Sequence, residues 1–437
     1  MQDIPDSVPW RTIELGRDHE FRFEVEFNQK VQIKLVKGTA EIFGTEIAEG
    51  VVYNFSGRKA AVYTWHGCIL DVRGNFLVEY TANETPMTSY LNLHLTLEHM
   101  RDLARRQTEM GPRVLVVGPH DVGKSSLCKI LVSYALRQSE KPMYISLDTS
   151  EGTFTMPGSM TATSISHIID VEEGFGSSAT TAGVGSSTMP LAYYYGYESP
   201  AENIKLYKML ISRLAQAVRA RVAADDKTRT SGFIIDTTGL IDHVGYDLIQ
   251  HAIEEFQVDV VVVLGHERLY SDMLRLHRDR PGIASIVKLT KSGGVVERDR
   301  QFKMQLQRNK IQEYFYGTPK CELSPYSMLV GFDDIKVWRV GEALAPSSAL
   351  PLGMESSESE TQIVKVDSMD MCLHSILGII DAKEGDHESK LLEKNVIGFI
   401  YVSEVDEEKQ KMTILSPAPG RLPRIHLLMG AFKWMET

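Results

Sequence analysis

The stretch GPHDVGKSS, from Gly118 to Ser126, carries residue types that bind nucleotide phosphates. Gly118, Gly123, Lys124 and Ser125 fit the pattern GxxxxGK[ST]; an apolar strand pattern precedes the stretch and a helical pattern follows it. The backbone N–H groups of such a P-loop surround the phosphates, and the helix N-terminus adds partial positive charge. We predict that Lys124 reaches the β- and γ-phosphates and that Ser125 helps to hold Mg²⁺.

A carboxylate must lie near the magnesium ion of a P-loop, and two predicted strands end in candidates. MYISLD ends in Asp148, one strand after the P-loop helix, and FIID ends in Asp236. An Asp at a strand end is also a common turn former, so its position alone identifies neither residue as a ligand. Beside a P-loop, Asp148 is the preferred Mg²⁺ ligand.

The tetrapeptide DTTG, which begins at Asp236, also matches the DxxG of a GTP-driven switch. Guanine specificity would then need an NKxD or TKxD sequence. The closest stretches, TKSG at 290–293 and NKIQ at 309–312, both lack the Asp. A GTPase is therefore the less favoured alternative to an ATP-binding protein.

The segment from 291 to 310 is locally basic. Its cations include Arg298, Arg300, Lys303 and Arg308. In a kinase, a segment of this kind closes as a lid over the phosphoryl group that is transferred. From spacing alone, an ordinary solvated helix with a basic face is the better interpretation.

Composition limits the class of protein. The chain has 437 residues, 43% of them hydrophobic, which is enough for more than one domain. A general nucleic-acid coat protein would be basic, whereas this chain has a formal net charge of -11, so any RNA contact must be local. The four cysteines are far apart and form no CxxC pair, which predicts neither a zinc site nor disulfides and indicates a reducing compartment, cytosol or nucleus.

Two stretches of the sequence argue against a membrane protein. The N-terminal stretch MQDIPDSVPW has no basic start and no apolar run, unlike a signal peptide. The longest apolar run, VDVVVVLG, is far shorter than a bilayer span. We expect a soluble intracellular protein.

The elements that must position these residues fall into three predicted domains. Residues 1–95 alternate apolar and polar residues between glycine turns, which is typical of a small β-sandwich-like domain. Residues 96–321 alternate short apolar strands with helices, which predicts an α/β P-loop NTPase domain with a parallel sheet. The strand patterns in residues 322–437 predict a mostly β domain. The Gly/Ser/Thr-rich stretch Glu172–Pro190 is predicted to be a mobile surface insertion, and 345–362 a loop.

Many separate stretches, in order along nearly the whole chain, resemble one known family. They include AEIFGTE, YTWHGC, ETPMTSYLNLH, GPHDVGKSS, TKSGGVVER, EYFYG and LSPAPGRLP. The chain resembles the eukaryotic RNA 5′-hydroxyl kinases that are also subunits of the pre-mRNA 3′-end cleavage and polyadenylation machinery. Segments such as GRKAA resemble the fungal branch of that family.

The resemblance implies ATP and Mg²⁺ as cofactors, and it assigns roles by position. Glu20 and Lys59 would contact the nucleotide from the N-terminal domain, and Ser125 and Asp148 would organise Mg²⁺. The catalytic residues of an active member would be Asp148, Glu151 and Arg298. The phosphate cradle would be Gly118, Asp121, Val122, Gly123, Lys124, Ser125 and Ser126.

The resemblance also implies partners and a location. The main partner would be the scaffold subunit of the cleavage factor that binds the RNA polymerase II C-terminal tail. Other cleavage and polyadenylation subunits would bind as well, RNA would be reached through the complex, and no membrane contact is implied. The location would be the nucleus.

Departures from active members of the family fall at the transfer site. Active members carry Gln at the position of Glu151 and Trp at the position of Leu240. Lys303 stands where a second Arg is usual, and Gly265 replaces an Asp. Lys cannot make the planar bidentate phosphate contact of Arg, and a Trp would offer a stacking face for an RNA base. Our preferred hypothesis is a structural, ATP-bound subunit with weakened or lost transfer, and the alternative is an active RNA 5′-hydroxyl kinase.

Overall fold

A computed structural model describes residues 4–5, 7–173, 190–277, 285–340 and 362–435. The predicted insertion at Glu172–Pro190 and the predicted loop at 345–362 lie almost entirely outside the described residues. No helix among the described residues is long and apolar enough to cross a bilayer.

The N-terminal domain is a sandwich of two antiparallel sheets. One sheet has the order β1-β8-β3-β6 and the other β5-β4-β7-β2-β9. Successive strand residues point to opposite faces, so alternate side chains such as Phe21, Phe23 and Val25 fill the space between the sheets. The strands are Arg11–Leu15 (β1), His19–Val25 (β2), Val31–Gly38 (β3), Glu41–Ile42 (β4), Thr45–Glu46 (β5), Val52–Phe55 (β6), Arg58–Thr64 (β7), Cys68–Gly74 (β8) and Val78–Ala82 (β9).

The central part of the chain alternates strands and helices. Its helices are Met87–Gln107 (α1), Lys124–Arg137 (α2), Ile204–Ala223 (α3), Asp226–Ser231 (α4), Val244–Phe256 (α5), Glu267–His277 (α6) and Arg300–Tyr316 (α7). Its strands are Arg113–Val117 (β10), Met143–Ser146 (β11), Ser159–Ser164 (β12), Leu191–Tyr194 (β13), Phe233–Asp236 (β14), Val260–Leu264 (β15) and Ser285–Leu289 (β16).

A parallel sheet forms the centre of this region. The strands β16-β15-β10-β14-β11 lie side by side and run parallel, as the sequence predicted. Residues Val260–Leu264 of β15 are all buried, because helices cover both faces of the sheet. This order brings the carboxyl ends of β10, β11 and β14 to one edge, where the P-loop begins.

The sheet continues beyond its parallel part. β12 and β13 add to it antiparallel, and Ala192 of β13 pairs with Val396, which joins the C-terminal strands to the same sheet. The C-terminal strands are Gly317–Thr318 (β17), Cys321–Glu322 (β18), Tyr326–Gly331 (β19), Lys336–Val340 (β20), Ile363–Lys365 (β21), Ser375–Ile380 (β22), Val396–Asp406 (β23), Lys411–Ser416 (β24) and His426–Lys433 (β25). Within the described residues the sheet contains 14 strands, more than the sequence patterns indicated.

Helix α1 connects the sandwich to the central region. It starts at Met87 and buries Leu93 and Leu97 against the core around α2 and β10. The predicted boundary between residues 95 and 96 falls inside this helix. The three-domain division, with its boundaries, stays a prediction.

The sandwich is fixed to the P-loop helix by a buried polar contact. Glu41 of β4 accepts hydrogen bonds from the hydroxyl of Tyr134 and, at 3.0 Å, from Nη1 of Arg137, both on α2. Gly44, in the adjoining turn, has φ +81°, and a Cβ there would lie 3.0 Å from the Ile130 carbonyl oxygen. Glycine at position 44 therefore lets the turn approach α2 closely. The contact holds one wall of the site described below.

We expect Glu41→Ala to lower the free energy of unfolding by about 1–3 kcal/mol, because the buried Tyr134 hydroxyl and Arg137 lose their acceptor. Urea denaturation followed by fluorescence measures the change. Glu46→Ala is the matched control, since Glu46 also pairs with Arg137 but its side chain is 61% exposed. An exposed pair contributes about 1 kcal/mol or less. Equal losses in the two variants would contradict this account.

Candidate nucleotide-binding site

A cavity of about 370 Å³ lies between the N-terminal sandwich, the P-loop and helix α7. Its volume falls in the range of sites that hold small molecules. Ten residues predicted from the sequence line it: Glu20, Lys59, Asp121, Gly123, Lys124, Ser125, Ser126, Asp148, Glu151 and Arg298. The structure therefore brings together residues from five separate segments of the chain: β2, β7, the P-loop, the loop after β11 and the segment before α7.

Two predicted cradle residues do not line the cavity and support the loop from behind. Val122 is buried in the core under the P-loop. Gly118 packs against the end of β15, where a Cβ would lie 2.5 Å from the Leu264 carbonyl oxygen. A side chain at position 118 would therefore push the loop away from β15.

The P-loop leads directly into α2, as its pattern requires. Gly123 has φ +93° and caps the helix, which begins at Lys124. The Lys124 ammonium donates a hydrogen bond to the Pro119 carbonyl at 2.7 Å, so the side chain folds back over the loop. Burial lowers the pKa of Lys124, while the carboxylates of Asp236 and Asp148 oppose that change. The cation thus faces the space that phosphates occupy in a P-loop.

Asp236 is the last residue of β14, Asp148 follows the neighbouring parallel strand β11, and both carboxylates act on Lys124 of the P-loop. Asp236 accepts a hydrogen bond from the Tyr144 hydroxyl at 2.8 Å. Burial raises the pKa of Asp236, and the nearby Ser125 hydroxyl opposes that change. The Asp236 Oδ1 is buried and has no hydrogen-bond partner among the described residues. Asp148 Oδ1 accepts from the Ser150 backbone N–H and hydroxyl at 2.9 and 2.6 Å. Its position near Ser125 makes Asp236 a second candidate for the Mg²⁺ sphere beside Asp148, which lines the cavity.

These carboxylates fit an Mg²⁺ ion that is held mainly by phosphates and water. Magnesium sites of phosphate-transferring proteins commonly use one or two carboxylates, with substrate oxygens completing the sphere. Among the described residues there is no group of three His, Cys, Asp or Glu side chains that could hold a metal alone. With nucleotide bound, Ser125, Asp148 and Asp236 would hold the ion, which would neutralise phosphate charge.

The basic segment crosses the cavity and contacts the P-loop. Arg298 Nε donates to Asp121 Oδ1 at 2.7 Å, and its Nη1 lies 2.6 Å from Glu151 Oε1. Lys303 Nζ lies 3.3 Å from the other oxygen of Asp121. Burial acts to lower the pKa of Arg298, but Glu151 and Asp121 raise it above its ordinary value. The pKa of Asp121 is lowered: burial acts to raise it, and Arg298 and Lys303 outweigh that effect.

Helix α7 also contacts the sandwich. The basic segment therefore spans the cavity from the P-loop to the sandwich. The ring of Phe302 lies 4.9 Å from the ring of Phe27, and the Lys59 ammonium lies 5.2 Å from the Phe302 ring. Lys59 pairs with Glu24 at 2.7 Å. These contacts support the lid interpretation of the basic segment over that of a solvated helix.

The far end of the cavity contains a residue that sequence reasoning missed. Arg22 pairs with the buried Glu20 and donates to the Glu84 carbonyl at 2.8 Å. Its guanidinium lies 5.5 Å from the centre of the Tyr80 ring. Burial raises the pKa of Glu20, although Arg22 opposes the change. Arg22 is two positions after Glu20 on β2, so the period of a strand could have placed both on one face.

Of the four positions at which this chain differs from active family members, two belong to the site. Glu151 and Lys303 belong to the charge network around Asp121. Leu240 does not line the cavity. Gly265 follows β15, has φ +66° and faces Lys291.

Comparison with known families identifies the chain. Residues 118–317 match the model described as mRNA cleavage and polyadenylation factor CLP1 P-loop. Residues 14–104 match the N-terminal beta-sandwich domain of polyadenylation factor, and 323–436 match pre-mRNA cleavage complex II protein Clp1. The chain belongs to the Clp1 family. The resemblance found in the sequence motifs and the predicted fold class are both confirmed.

Clp1 relatives match over nearly their whole length. The protein from Botryotinia fuckeliana (strain B05.10), named mRNA cleavage and polyadenylation factor clp1, is 44% identical across 97% of this chain and 93% of its own, which fits the predicted fungal branch. The proteins from Rattus norvegicus and Homo sapiens, named polyribonucleotide 5′-hydroxyl-kinase Clp1, are 43% identical across 99% of this chain and 98% of their own. Because relatives with these two different names are almost equally identical to this chain, sequence identity favours neither named function.

Two solved Clp1 structures share the fold. One is the structure of a wild-type Clp1p–Pcf11p complex, with a TM-score of 0.86, 29% identity, and coverage of 98% of this chain and 99% of that chain. The other describes an extended interface between Pcf11p and Clp1p and the structural basis for ATP loss in a point mutant. Its TM-score is 0.87 at 28% identity and the same coverage.

The carboxyl of Asp236 generates a pH-dependent prediction. Burial raises its pKa to about 6, whereas an unfolded Asp titrates near 3.8. Between these values the folded protein binds more protons than the unfolded one, so this group's contribution to stability falls as pH rises. We expect the stability gain of Asp236→Asn to be larger at pH 7.5 than at pH 5 by about 1 kcal/mol.

Thermal and urea unfolding of nucleotide-free protein in EDTA at the two pH values measures this difference. Asp333→Asn, at an exposed position, removes the same charge and controls for net-charge effects. A stability difference between Asp236→Asn and wild type that does not change with pH would mean that Asp236 is ionised throughout this range.

Proposed function

We propose that this protein is an ATP-binding structural subunit of the nuclear pre-mRNA 3′-end cleavage and polyadenylation factor, with weakened or lost phosphoryl transfer. The P-loop, with Lys124 and Ser125 beside the cavity, supports nucleotide binding. Membership of the Clp1 family supports the role in mRNA 3′-end processing.

The ion pair between Arg298 and Glu151 supports the proposal that phosphoryl transfer is weakened or lost. Phosphoryl transfer spreads negative charge over the equatorial oxygens, and nearby cations must stabilise that charge. Arg298 is the lid cation that we assign to stabilising this phosphoryl charge. Its guanidinium already pairs with two carboxylates, those of Glu151 and Asp121. A Gln at position 151 would leave one charge fewer against the incoming phosphate. The extra carboxylate therefore weakens the stabilisation of the transition state.

Bound ATP then acts on stability and assembly. A ligand that binds the folded state alone stabilises it by mass action. ATP in this cavity would contact the sandwich through Glu20 and Lys59 and the central region through the P-loop and the lid. The nucleotide would thus fix the relative positions of these parts.

The solved Clp1p–Pcf11p complexes support a scaffold partner for this chain. By similarity, we propose that it binds the scaffold subunit that also contacts the RNA polymerase II C-terminal tail. Other cleavage and polyadenylation subunits, and RNA through the complex, complete the proposed assembly in the nucleus.

An active RNA 5′-hydroxyl kinase is the second candidate. The relatives named polyribonucleotide 5′-hydroxyl-kinase support it, as does the presence of Lys124, Ser125 and Asp148 beside the cavity. In that mechanism Lys124 and Arg298 stabilise phosphate charge, Ser125 and Asp148 organise Mg²⁺, and Asp148 or Glu151 orients the attacking hydroxyl.

We expect purified protein to retain ATP and to transfer no γ-phosphate to a 5′-hydroxyl RNA oligonucleotide. Radiolabelled ATP measures transfer, and chromatography of the nucleotide released by heat measures retention. Lys124→Ala controls for contaminating kinases. Transfer that disappears in Lys124→Ala would establish the kinase instead, and protein that releases no ATP would remove the structural role.

We expect Glu151→Gln to raise transfer at least about tenfold above the background measured with Lys124→Ala, and Leu240→Trp to add to that gain. Glu151→Ala is the matched control, because it removes the carboxylate without supplying an amide. A gain in both position-151 variants would identify charge as the cause, and a gain in Glu151→Gln alone would identify the amide contact. If even the Glu151→Gln/Leu240→Trp double variant showed no gain, the hypothesis that these two residues cause the weak transfer would be refuted.

A further inference from the structure

The loop between β16 and α7 contains two adjacent glycines, Gly293 and Gly294, and it lies against Arg22 of β2. A Cβ at Gly294 would lie 2.6 Å from Arg22 Nε and 2.9 Å from its Cδ, and a Cβ at Gly293 would lie 3.4 Å from Nη1. A side chain at position 294 would therefore overlap the guanidinium. Glycine at this position lets the loop backbone lie directly against Arg22.

The Arg22 side chain is fixed by partners on the sandwich side of this contact. It pairs with Glu20, donates to the Glu84 carbonyl at 2.8 Å, and donates through Nη1 to the Tyr80 hydroxyl at 3.4 Å. The pKa of Arg22 is raised: burial acts to lower it, and Tyr80 and Glu20 outweigh that effect. Because the residue is 8% exposed and its planar donors are engaged in three directions, the guanidinium forms a rigid surface for the loop.

The same loop also contacts the P-loop. A Cβ at Gly123, which caps α2, would lie 3.0 Å from Val295 Cγ2. We call residues 292–296 the bridging loop, because they lie against Arg22 of the sandwich and against the start of the P-loop helix. Four of them line the cavity: Ser292, Gly294, Val295 and Val296. The bridging loop is therefore a wall of the nucleotide site that touches both the sandwich and the P-loop.

Internal hydrogen bonds make the bridging loop a compact turn. The Ser292 hydroxyl accepts from the Gly294 N–H at 3.2 Å, and the Ser292 carbonyl accepts from the Val295 N–H at 3.1 Å. Just before the loop, the Thr290 carbonyl accepts from the Tyr90 hydroxyl of α1 at 3.4 Å. A displacement of Gly294 is therefore passed to Val295, which packs on the cap of the P-loop helix.

We propose that Arg22 is a positioning residue that holds the bridging loop between the sandwich and the P-loop, and that this contact slows the release of bound nucleotide. The inference rests on the proposed function, because it takes the cavity to hold ATP. Nucleotide in the cradle would leave when the wall formed by the bridging loop moves away from the sandwich. That movement separates Gly294 from Arg22, so the contact between them opposes release.

The test loads the full chain with radiolabelled ATP, adds an excess of unlabelled ATP, and follows dissociation by filter binding. We expect Arg22→Lys and Gly294→Ala each to raise the dissociation rate about tenfold, since each disturbs one buried contact of a charged group. Arg22→Lys keeps a positive charge beside Glu20 but loses the planar guanidinium. Arg17→Ala is the matched control and should behave like wild type, because its side chain is 78% exposed.

The double variant Arg22→Lys/Gly294→Ala tests whether the two changes act on one contact. We expect it to release ATP no faster than the faster of the two single variants, because either change alone already breaks the contact. Effects that multiply in the double variant would show two independent sites and would overturn the proposal. An effect of Arg22→Lys without an effect of Gly294→Ala would also overturn it, since Arg22 would then act on the nucleotide directly.

An unchanged dissociation rate in both single variants would refute the role in nucleotide release. Lower stability of the nucleotide-free variants in urea would then mean that Arg22 only supports the fold. Failure of the proposed function is recognised separately, from the nucleotide content of the wild type. A wild type that carries no ATP as purified but binds added ATP would lose its structural role, and the measured rates would still decide the role of Arg22.

Discussion

The contact among Asp121, Arg298 and Glu151 is the interaction on which the arrangement of the site depends. It joins three segments that are distant in sequence: the P-loop, the loop after β11 and the segment before α7. It closes the lid over the cradle, and it also determines how much positive charge remains for a phosphate. In the proposed function, one set of ion pairs would govern both enclosure of the nucleotide and the electrostatics of transfer, and a chain could keep the first while losing the second.

The same lid reaches the N-terminal sandwich through Phe302 and Phe27, while Glu41 ties the sandwich to α2 on the other side. The cavity is thus assembled from the sandwich, the P-loop helix and α7, which come from separate parts of the chain. Its shape is maintained by contacts between parts, and a ligand that touches all of them adds directly to those contacts. This arrangement suits the structural role proposed for the nucleotide, since a ligand that binds only the folded state stabilises it.

The sequence predicted the P-loop, a parallel sheet and the sandwich, because each depends on patterns local to the chain. It could not predict the Glu151–Arg298 pair, because tertiary folding brings these two residues together. It identified Glu20 and Lys59 through family resemblance alone, and it missed Arg22 although the strand period was available. The extension of the sheet into the C-terminal strands depends on the pairing of Ala192 with Val396, and strand patterns do not specify partners.

The carboxylate of Glu151 also has a genetic consequence. Glutamate and glutamine have nearly the same shape, and their codons differ by a single base. A lineage could therefore cross between the two states of this site by one point mutation, without rebuilding the fold or the nucleotide pocket. Selection for assembly into a larger machine and selection for chemistry on RNA ends could then act on the same scaffold, with position 151 as one of the few residues that distinguish them.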